Sequence, residues 1–177
     1  MGMISQKMQE AMNKQINAEM YSAYLYLSMS SHFSNENLDG FAGWMRAQAQ
    51  EEMVHAMKIY NFVIEREGRV ILKTIDGPKT DWGTPLEIFQ TAYEHEQKVT
   101  DMINNLVSLA MEEKDFASNS FLQWFVDEQV EEESTASGIV DQLKMIGGSK
   151  EGLFMMDREL GQRTFDAAAA AAEAGGE

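Results

Sequence analysis

Apolar residues recur at helical spacing in four long segments of the chain, and each segment predicts one amphipathic helix. The first predicted helix covers about residues 5–33, the second 38–66, the third 86–113 and the fourth 116–146. One face of each helix is apolar, and such a face must be buried against a neighbouring helix. The pattern therefore predicts an all-α fold in which four helices pack around a shared core.

The connections between these segments predict how the helices are arranged. Residues 34–37 form a short polar link and Lys114-Asp115 a tight turn, so each joins antiparallel neighbours. The connection between helices two and three is different, because it extends for about 17 residues from Glu67. A helix of about 28 residues is about 42 Å long, and an extended connection of this length can travel the whole bundle. Helices two and three are therefore predicted to run parallel, in a four-helix bundle with one long crossover.

Glycine, proline and hydroxyl residues mark the ends of the predicted helices. Gly68 is placed to end helix two, and Thr84-Pro85 to begin helix three with an N-cap and a proline at the first position. Gly147-Gly148 stops helix four. Ser149 then begins a short fifth helix, predicted to continue to about Gln162.

Length and composition limit the organisation of the chain. With 177 residues it has room for one domain with a substantial core, which we place at residues 1–163. Residues 164–177 are an Ala-rich segment of low complexity, predicted to be a disordered tail. No apolar signal segment and no run of about 20 apolar residues is seen, so a cytoplasmic protein is expected.

Charge and cysteine content exclude several function classes. The formal net charge of −15 repels nucleic acid and anionic membranes, so neither is an expected partner, and it attracts cations. The chain has no cysteine, which excludes disulfides, thiolate catalysis, Cys-ligated zinc and iron–sulfur clusters. A cation site in this protein must therefore be built from oxygen and imidazole ligands.

Each long helix places one carboxylate in the middle of its apolar stripe. The stripe of helix three, for example, is predicted to be Leu86, Phe89, Tyr93, Glu96, Thr100, Ile103, Val107 and Ala110. A buried glutamate is costly unless it is paired or bound to a metal. Four at comparable depth predict a shared cation site, and they are Glu19, Glu52, Glu96 and Glu132.

His55 makes this prediction more specific. It follows Glu52 by three residues, so the two side chains share one face of helix two and can hold one ion together. Glutamates from some helices and a Glu-x-x-His pair from others form the ligand set of di-iron carboxylate bundles. Glu-x-x-His is common by chance, and its position on a buried stripe is what makes it informative. Oxygen-rich ligands of this kind suit Fe(II).

On these residues the chain resembles the non-haem ferritins of bacteria and archaea, over about residues 4–163. The resemblance implies an iron-storage subunit with ferroxidase activity, which oxidises Fe(II) with O₂ or H₂O₂ and deposits Fe(III) mineral inside a cage. It also implies a closed shell of 24 identical subunits, with the fifth helix at the four-fold axes. The matching segments are Glu19, Tyr26, residues 51–56, residues 93–96 and residues 127–133.

The resemblance also implies which residues hold iron. Glu19, Glu52 and His55 correspond to the ligands of a first iron, and Glu52, Glu96 and Glu132 to those of a second, with Glu52 as the bridge.

Further residues correspond to positions around these two irons. Gln129 corresponds to a residue that lines the site, and Tyr26 to a nearby one-electron donor. A third iron, held more weakly, corresponds to Glu51, Glu128, Glu131 and Glu132.

Haem-binding bacterioferritin is the alternative within the same superfamily. Met53 stands where a methionine of those proteins ligates haem. Helix four, however, lacks their second Glu-x-x-His, because Glu131 and Glu132 stand three residues after Glu128 and Gln129. We therefore expect no haem. The remaining histidines, His32 and His95, lie off the ligand stripe and are predicted to contribute no ligand.

Two other readings remain open from the residues alone. The first is a di-iron oxidoreductase of the rubrerythrin or ribonucleotide-reductase type, although the missing cysteines remove a rubredoxin-like domain and the chain is short for the reductase. The second is a metal-free helical interaction protein whose glutamates face solvent. Both would form small oligomers, and a ferritin would form a large closed shell.

Overall fold

The computed structural model describes residues 3–166, and most of the predicted tail, residues 167–177, lies outside that range. The all-α prediction is confirmed, since these residues contain helices and no strand. No helix within residues 3–166 is long and apolar enough to cross a membrane. The five helices are α1 (Gln6–Asn35), α2 (Asp39–Glu65), α3 (Pro85–Glu112), α4 (Phe116–Ile146) and α5 (Lys150–Leu160).

The core consists of two apolar clusters at opposite ends of the bundle. Met12 of α1 and Val63 of α2 belong to one cluster, and Phe33 and Phe41 of the same helices belong to the other. Both α2 and α3 begin in the cluster of Phe33 and end in the cluster of Met12. These two helices therefore run parallel, and α1 and α4 run opposite to them, as the long crossover predicted.

Helix α3 is buried on a face slightly rotated from the predicted one. Tyr93 and Val107 are only half-buried, whereas Val99 and Leu106 are buried in their place. Glu96 is common to both faces, so the rotation leaves it in the core. The buried set of α3 is Ile88, Phe89, Ala92, Glu96, Val99, Ile103, Leu106 and Ala110.

Side-chain caps begin four of the five helices. The predicted start at Thr84 is a full capping box, in which Thr84 accepts from the Glu87 backbone and Glu87 accepts from the Thr84 backbone. Ser149 accepts from the backbone N–H of Gly152 and begins α5, which ends at Leu160, two residues before the predicted end.

Helix α2 ends near Gly68 as predicted, but Gly68 is not the residue with the left-handed backbone conformation. The left-handed residue is Glu67, with φ of 57°, and Gly68 follows it by donating its N–H to the Val63 carbonyl at 2.8 Å. Gly68 is needed for space, because a Cβ there would lie 2.7 Å from Cγ2 of Ile4. The glycine thus ends the helix through close packing, and its own φ is not the reason.

A buried ion pair joins the end of α2 to the start of α4. The Arg66 guanidinium donates to both carboxylate oxygens of Asp115, at 3.0 and 3.2 Å, and to Ser118 Oγ at 3.3 Å. Asp115 is also the N-cap of α4, and accepts from the Ser118 backbone. Burial would raise the pKa of Asp115, but the bonds from Arg66 and Ser118 outweigh it and hold that pKa below its usual value.

The crossover between α2 and α3 follows α1 along its length. Asn13 of α1 donates to the Arg69 carbonyl at 3.0 Å and accepts from the Ile71 backbone at 2.8 Å. Further along the same helix, Ser28 donates to the Lys79 carbonyl at 2.6 Å. Side chains of α1 thus satisfy backbone groups that an extended segment would otherwise leave open.

Candidate metal centre

A layer of buried polar side chains separates the two apolar clusters, and all four long helices contribute to it. Burying so many polar groups is unfavourable unless they bind one another or a ligand. The layer contains Gln15, Glu19 and Ser22 from α1, Gln48, Glu52 and His55 from α2, Glu96 from α3, and Gln129 and Glu132 from α4.

Glu19, Glu52 and His55 come together inside this layer. One ligand atom from each lies within 4.8 Å of the others, and all three side chains are buried. His55 Nδ1 is 3.5 Å from Glu52 Oε2. Two carboxylates and one imidazole at this separation form a ligand set that suits a divalent transition metal. The structure therefore brings together the three residues predicted for the first iron.

Two glutamines hold the carboxylates of this layer in place. Gln15 Nε2 donates to Glu19 Oε1 at 2.8 Å, and Gln48 Nε2 donates to Glu52 Oε1 at 3.0 Å and to Glu132 Oε2 at 2.8 Å. Glu19 Oε2 remains the one buried side-chain polar atom in residues 3–166 without a hydrogen-bond partner. An unpartnered buried oxygen next to a carboxylate–imidazole pair is the position where a cation would bind.

Glu96 and Glu132 lie at the two sides of the layer. The Tyr26 hydroxyl donates to Glu96 Oε1, and Gln129 Nε2 donates to Glu96 Oε2 at 3.3 Å. Glu132 is joined to Glu52 through the shared Gln48 amide. Within residues 3–166, Glu96 belongs to neither of the close ligand groups. The ligand atoms of the predicted second iron site, Glu52, Glu96 and Glu132, therefore do not converge on one position in this structure.

A second close group includes His55, Glu128 and Glu132, whose ligand atoms also lie within 4.8 Å of one another. Glu128 is half-buried, so this group is nearer the surface than the first. Of the other residues predicted for a third iron, Glu131 is exposed and Glu51 forms an ion pair with Arg163. The structure thus gathers part of that predicted set.

Burial and mutual repulsion set the charge of the layer. Burial, reinforced by the negative charge of Glu52, raises the pKa of Glu19 to about 8 and that of Glu96 to about 8. The same two causes raise the pKa of Glu132 well above its usual value. At neutral pH without metal, these three carboxyls are therefore mostly protonated.

Glu52 and His55 form the charged pair of the layer. Burial opposes the charge of each, but their hydrogen bond and mutual attraction outweigh it, lowering the pKa of Glu52 and raising that of His55 to about 10. The metal-free layer therefore holds one carboxylate anion and one imidazolium cation. A divalent cation that binds here must displace protons from the neutral carboxyls and from His55.

The two remaining histidines and Met53 lie outside the ligand groups. His95 is half-buried behind the layer, with Nε2 2.7 Å from Ser22 Oγ, and it belongs to neither ligand group within residues 3–166. His32 is half-buried beside Phe33, away from the layer. Met53 is exposed and lines an apolar groove of about 700 Å³ between α1 and α2.

The structure adds residues that the sequence analysis did not assign to the site. Gln15 and Gln48 each precede a ligand-stripe glutamate by four residues, and this i,i+4 spacing could have indicated that they donate to it. Arg163 carried no such signal. It follows α5, donates from Nη1 to Gln48 Oε1 at 2.9 Å and from Nη2 to Glu51, and lies over the Trp44 ring.

Comparison with known protein families gives an independent result. A family model described as "Ferritin-like domain" matches residues 9–146. A bacterial non-heme ferritin from Bacteroides fragilis (strain 638R) is 51% identical over 161 residues, which cover 91% of this chain and 100% of the relative. One from Staphylococcus aureus (strain USA300) is 40% identical over 164 residues, covering 93% and 99% of the two chains.

Solved structures agree with these relatives. A chain of the open pore ferritin from the hyperthermophilic archaeon Archaeoglobus fulgidus is 55% identical, with a TM-score of 0.90 over 91% of this chain and 98% of that chain. A structure described as a humanized archaeal ferritin, also 55% identical, has a TM-score of 0.91 over 92% and 99% of the two chains.

Proposed function

Since the chain belongs to the ferritin family, we propose that it is an iron-storage subunit with ferroxidase activity. The observation that carries the proposal is the buried group of Glu19, Glu52 and His55, with an unpartnered oxygen on Glu19. This group lies between two apolar clusters, where an unbalanced set of carboxyls has no structural use. A divalent cation can replace the protons that these buried carboxyls otherwise keep.

In the proposed reaction two Fe(II) ions bind in the layer. Glu19, Glu52 and His55 hold the first ion, and Glu52, Glu96 and Glu132 hold the second after small side-chain movements. Each Fe(II) gives one electron, so two ions and two protons reduce one O₂ to H₂O₂, and H₂O₂ can itself serve as the oxidant. The protein contributes by holding both metals close together with flexible carboxylates.

Gln129 and Tyr26 are proposed to support the second iron. Gln129 lines the layer and holds Glu96 through its amide. Tyr26 is proposed to be a one-electron donor near the metals, and the hydrogen bond from its hydroxyl to Glu96 supports this role. Glu51, Glu128 and Glu131, together with Glu132, are proposed to hold a third, weaker iron, and the group of His55, Glu128 and Glu132 supports part of this set.

The product is proposed to enter a cage made of 24 copies of the chain, in the cytoplasm. Such a shell would have a mass of about 480 kDa, given a subunit of 20.0 kDa and closed symmetry. Size-exclusion chromatography with light scattering measures this directly. A dimer or tetramer that still binds two irons would instead favour a di-iron oxidoreductase.

The test of the proposed activity is stopped-flow Fe(II) oxidation by Glu52→Ala, preceded by anaerobic Fe(II) titration. We expect the fast phase of oxidation to disappear and the assembly to remain intact, because Glu52 serves both metals and contributes no apolar packing. Glu65→Ala is the matched control, since Glu65 is exposed on the same helix. Unchanged oxidation kinetics in Glu52→Ala would overturn the site assignment.

A further inference from the structure

Arg163 lies at the edge of the carboxylate layer, although it comes from the segment that follows α5. Its guanidinium is 4.5 Å from the centre of the Trp44 ring, and its Nη2 donates to Glu51. Only 24% of the Arg163 side chain and 27% of the Glu51 side chain is exposed. A guanidinium that is partly buried, bonded to a carboxylate and stacked on an aromatic ring is held in a more fixed position than one in an ordinary surface ion pair.

Glu51 stands next to the second ligand group. It is close enough to Glu128 and His55 for their charges to act on it, and it directly precedes Glu52 in α2. Glu51 could therefore provide a further ligand to a cation held by Glu128 and Glu132, and its carboxylate is the one that Arg163 binds. The guanidinium holds Oε2 of Glu51 and carries the same sign of charge as a divalent cation, so it weakens the binding of a cation to this carboxylate.

Arg163 also reaches the first ligand group, through Gln48. It donates from Nη1 to Gln48 Oε1 at 2.9 Å, which leaves the Gln48 amide nitrogen pointing at Glu52 and Glu132. Reversing this amide would break all three bonds at once. Arg163 therefore fixes the orientation of the donor that joins the two glutamates.

We propose that Arg163 is a positioning residue and a latch, which a divalent cation bound at Glu51 displaces from Glu51 and from Gln48. Until then the guanidinium supplies the positive charge that Glu51 requires and keeps Gln48 aligned. Binding of the outer cation thus changes the support of the inner centre. This inference rests on the proposed function, because it requires that metals fill the layer.

Calorimetric titration with Zn(II), a redox-inert probe, measures the competition. In Arg163→Gln the amide can still donate to Gln48, but the competing charge is gone. We expect the third Zn(II) per subunit to bind roughly five- to tenfold more tightly than it does to wild type. Arg158→Gln, on the exposed face of α5, makes the same change of charge and should leave all three affinities unchanged.

Displacement of the guanidinium is read by phenylglyoxal, a small reagent that modifies accessible arginines. Peptide mass spectrometry should find Arg163 protected in the metal-free wild type and after two Zn(II) per subunit, and modified several-fold faster after the third. In Glu51→Gln, Arg163 should be modified rapidly even without Zn(II), because its anionic partner is gone.

The outcomes separate this inference from the proposed function. Three outcomes would each overturn the latch. The third Zn(II) could bind wild type and Arg163→Gln with equal affinity, or Arg163 could stay protected at full Zn(II) loading. Both proteins could also bind two Zn(II) and no third. The first two Zn(II) would still support the metal centre in those cases. Failure of wild type to bind Zn(II) at the buried carboxylates would overturn both.

Discussion

The Arg66–Asp115 pair and the carboxylate layer both bury charged groups, but they differ in balance. Arg66 and Asp115 carry one charge each, and both carboxylate oxygens of Asp115 accept from the guanidinium. In the layer, four glutamates share one histidine, and one oxygen of Glu19 has no partner within the described residues. The charges of the first region balance each other, whereas the second region keeps an unpartnered oxygen where we propose that a cation binds.

This difference shows how a structural polar site can be told from a functional one within a single chain. Burial alone does not separate them, since both are largely removed from water. The count of charges and the direction of the pKa shifts do. The pKa of Asp115 is lowered by its partners, whereas burial and the negative charge of Glu52 raise the pKa values of Glu19 and Glu96.

The same isosteric change should have opposite consequences in the two regions. Glu19→Gln removes one metal ligand, so we expect affinity for the first Fe(II) to fall by about 100-fold or more, measured by anaerobic titration. The thermal midpoint of the metal-free protein should stay the same or rise, because folding no longer has to protonate a carboxylate that is ionised in the unfolded chain at neutral pH. A lower midpoint would mean that Glu19 has a structural role.

Asp115→Asn should do the reverse. Asn remains a good N-cap for α4, but the buried Arg66 guanidinium loses the negative charge of its Asp115 partner. We expect the free energy of unfolding to fall by about 3 kcal/mol, seen as a lower thermal midpoint. Fe(II) stoichiometry and affinity should stay within about twofold of wild type, since the pair lies at the end of the bundle. A change in metal binding would contradict the separation of the two regions.

Changing the pH should affect the layer and leave the ion pair unchanged. From pH 4.5 to about 8 the folded chain keeps protons on Glu19 and Glu96 that the unfolded chain has released, and from 6.5 to about 10 the same holds for His55. The folded state binds more protons, so its stability falls as pH rises through this window. We expect the thermal midpoint of the metal-free protein to drop by a few degrees between pH 6 and pH 9.

Saturating Zn(II) provides the control for the pH measurement. Metal holds the carboxylates in their charged form, so the decline with pH should disappear or reverse when Zn(II) is bound. Calorimetry in buffers of different ionisation enthalpy should also detect protons released on binding. A metal-free midpoint that rises from pH 6 to pH 9 would contradict the charge state assigned to the layer.

The smallest expected effect is that of Tyr26→Phe. Glu96 loses the hydroxyl that donates to it but keeps the bond from Gln129, so both metals should still bind. We expect oxidation to slow by about three- to tenfold, through weaker positioning of the second iron and loss of a one-electron donor. Stopped-flow oxidation at equal Fe(II) loading measures it. Fewer Fe(II) ions bound per subunit would contradict this expectation, because Tyr26 would then be needed for metal binding itself.

Much of the fold could be predicted because its signals are local. The capping box of Thr84 and Glu87 is read from spacing alone, and the short and long connections predicted which helices run parallel. The buried face of α3 was predicted only approximately. Tyr93 and Val107 are as apolar as Val99 and Leu106, and packing against three other helices decided between them.

The site divides in the same way. The carboxylates and His55 lie on stripes, so periodicity found them, and Gln15 and Gln48 were on the same stripes without an assigned role. Periodicity could not find Arg163, because this residue lies outside the helices, after α5. Its contact with Glu51 joins residues 112 positions apart, and no local sequence pattern specifies the path of the chain between them. Whether the three metals bind as the family resemblance implies stays a prediction.

The contacts between α1 and the crossover give this connection a fixed length. Asn13 and Ser28 are anchor points 15 residues apart on a rigid helix, and each binds a set backbone position of the extended chain. One inserted or deleted residue between Ile71 and Lys79 would put one of these anchors out of register. Most surface loops accept such changes readily. In this protein the crossover tolerates no change of length between its two anchors, and a foreign peptide would be better inserted at the turn formed by residues 36–38.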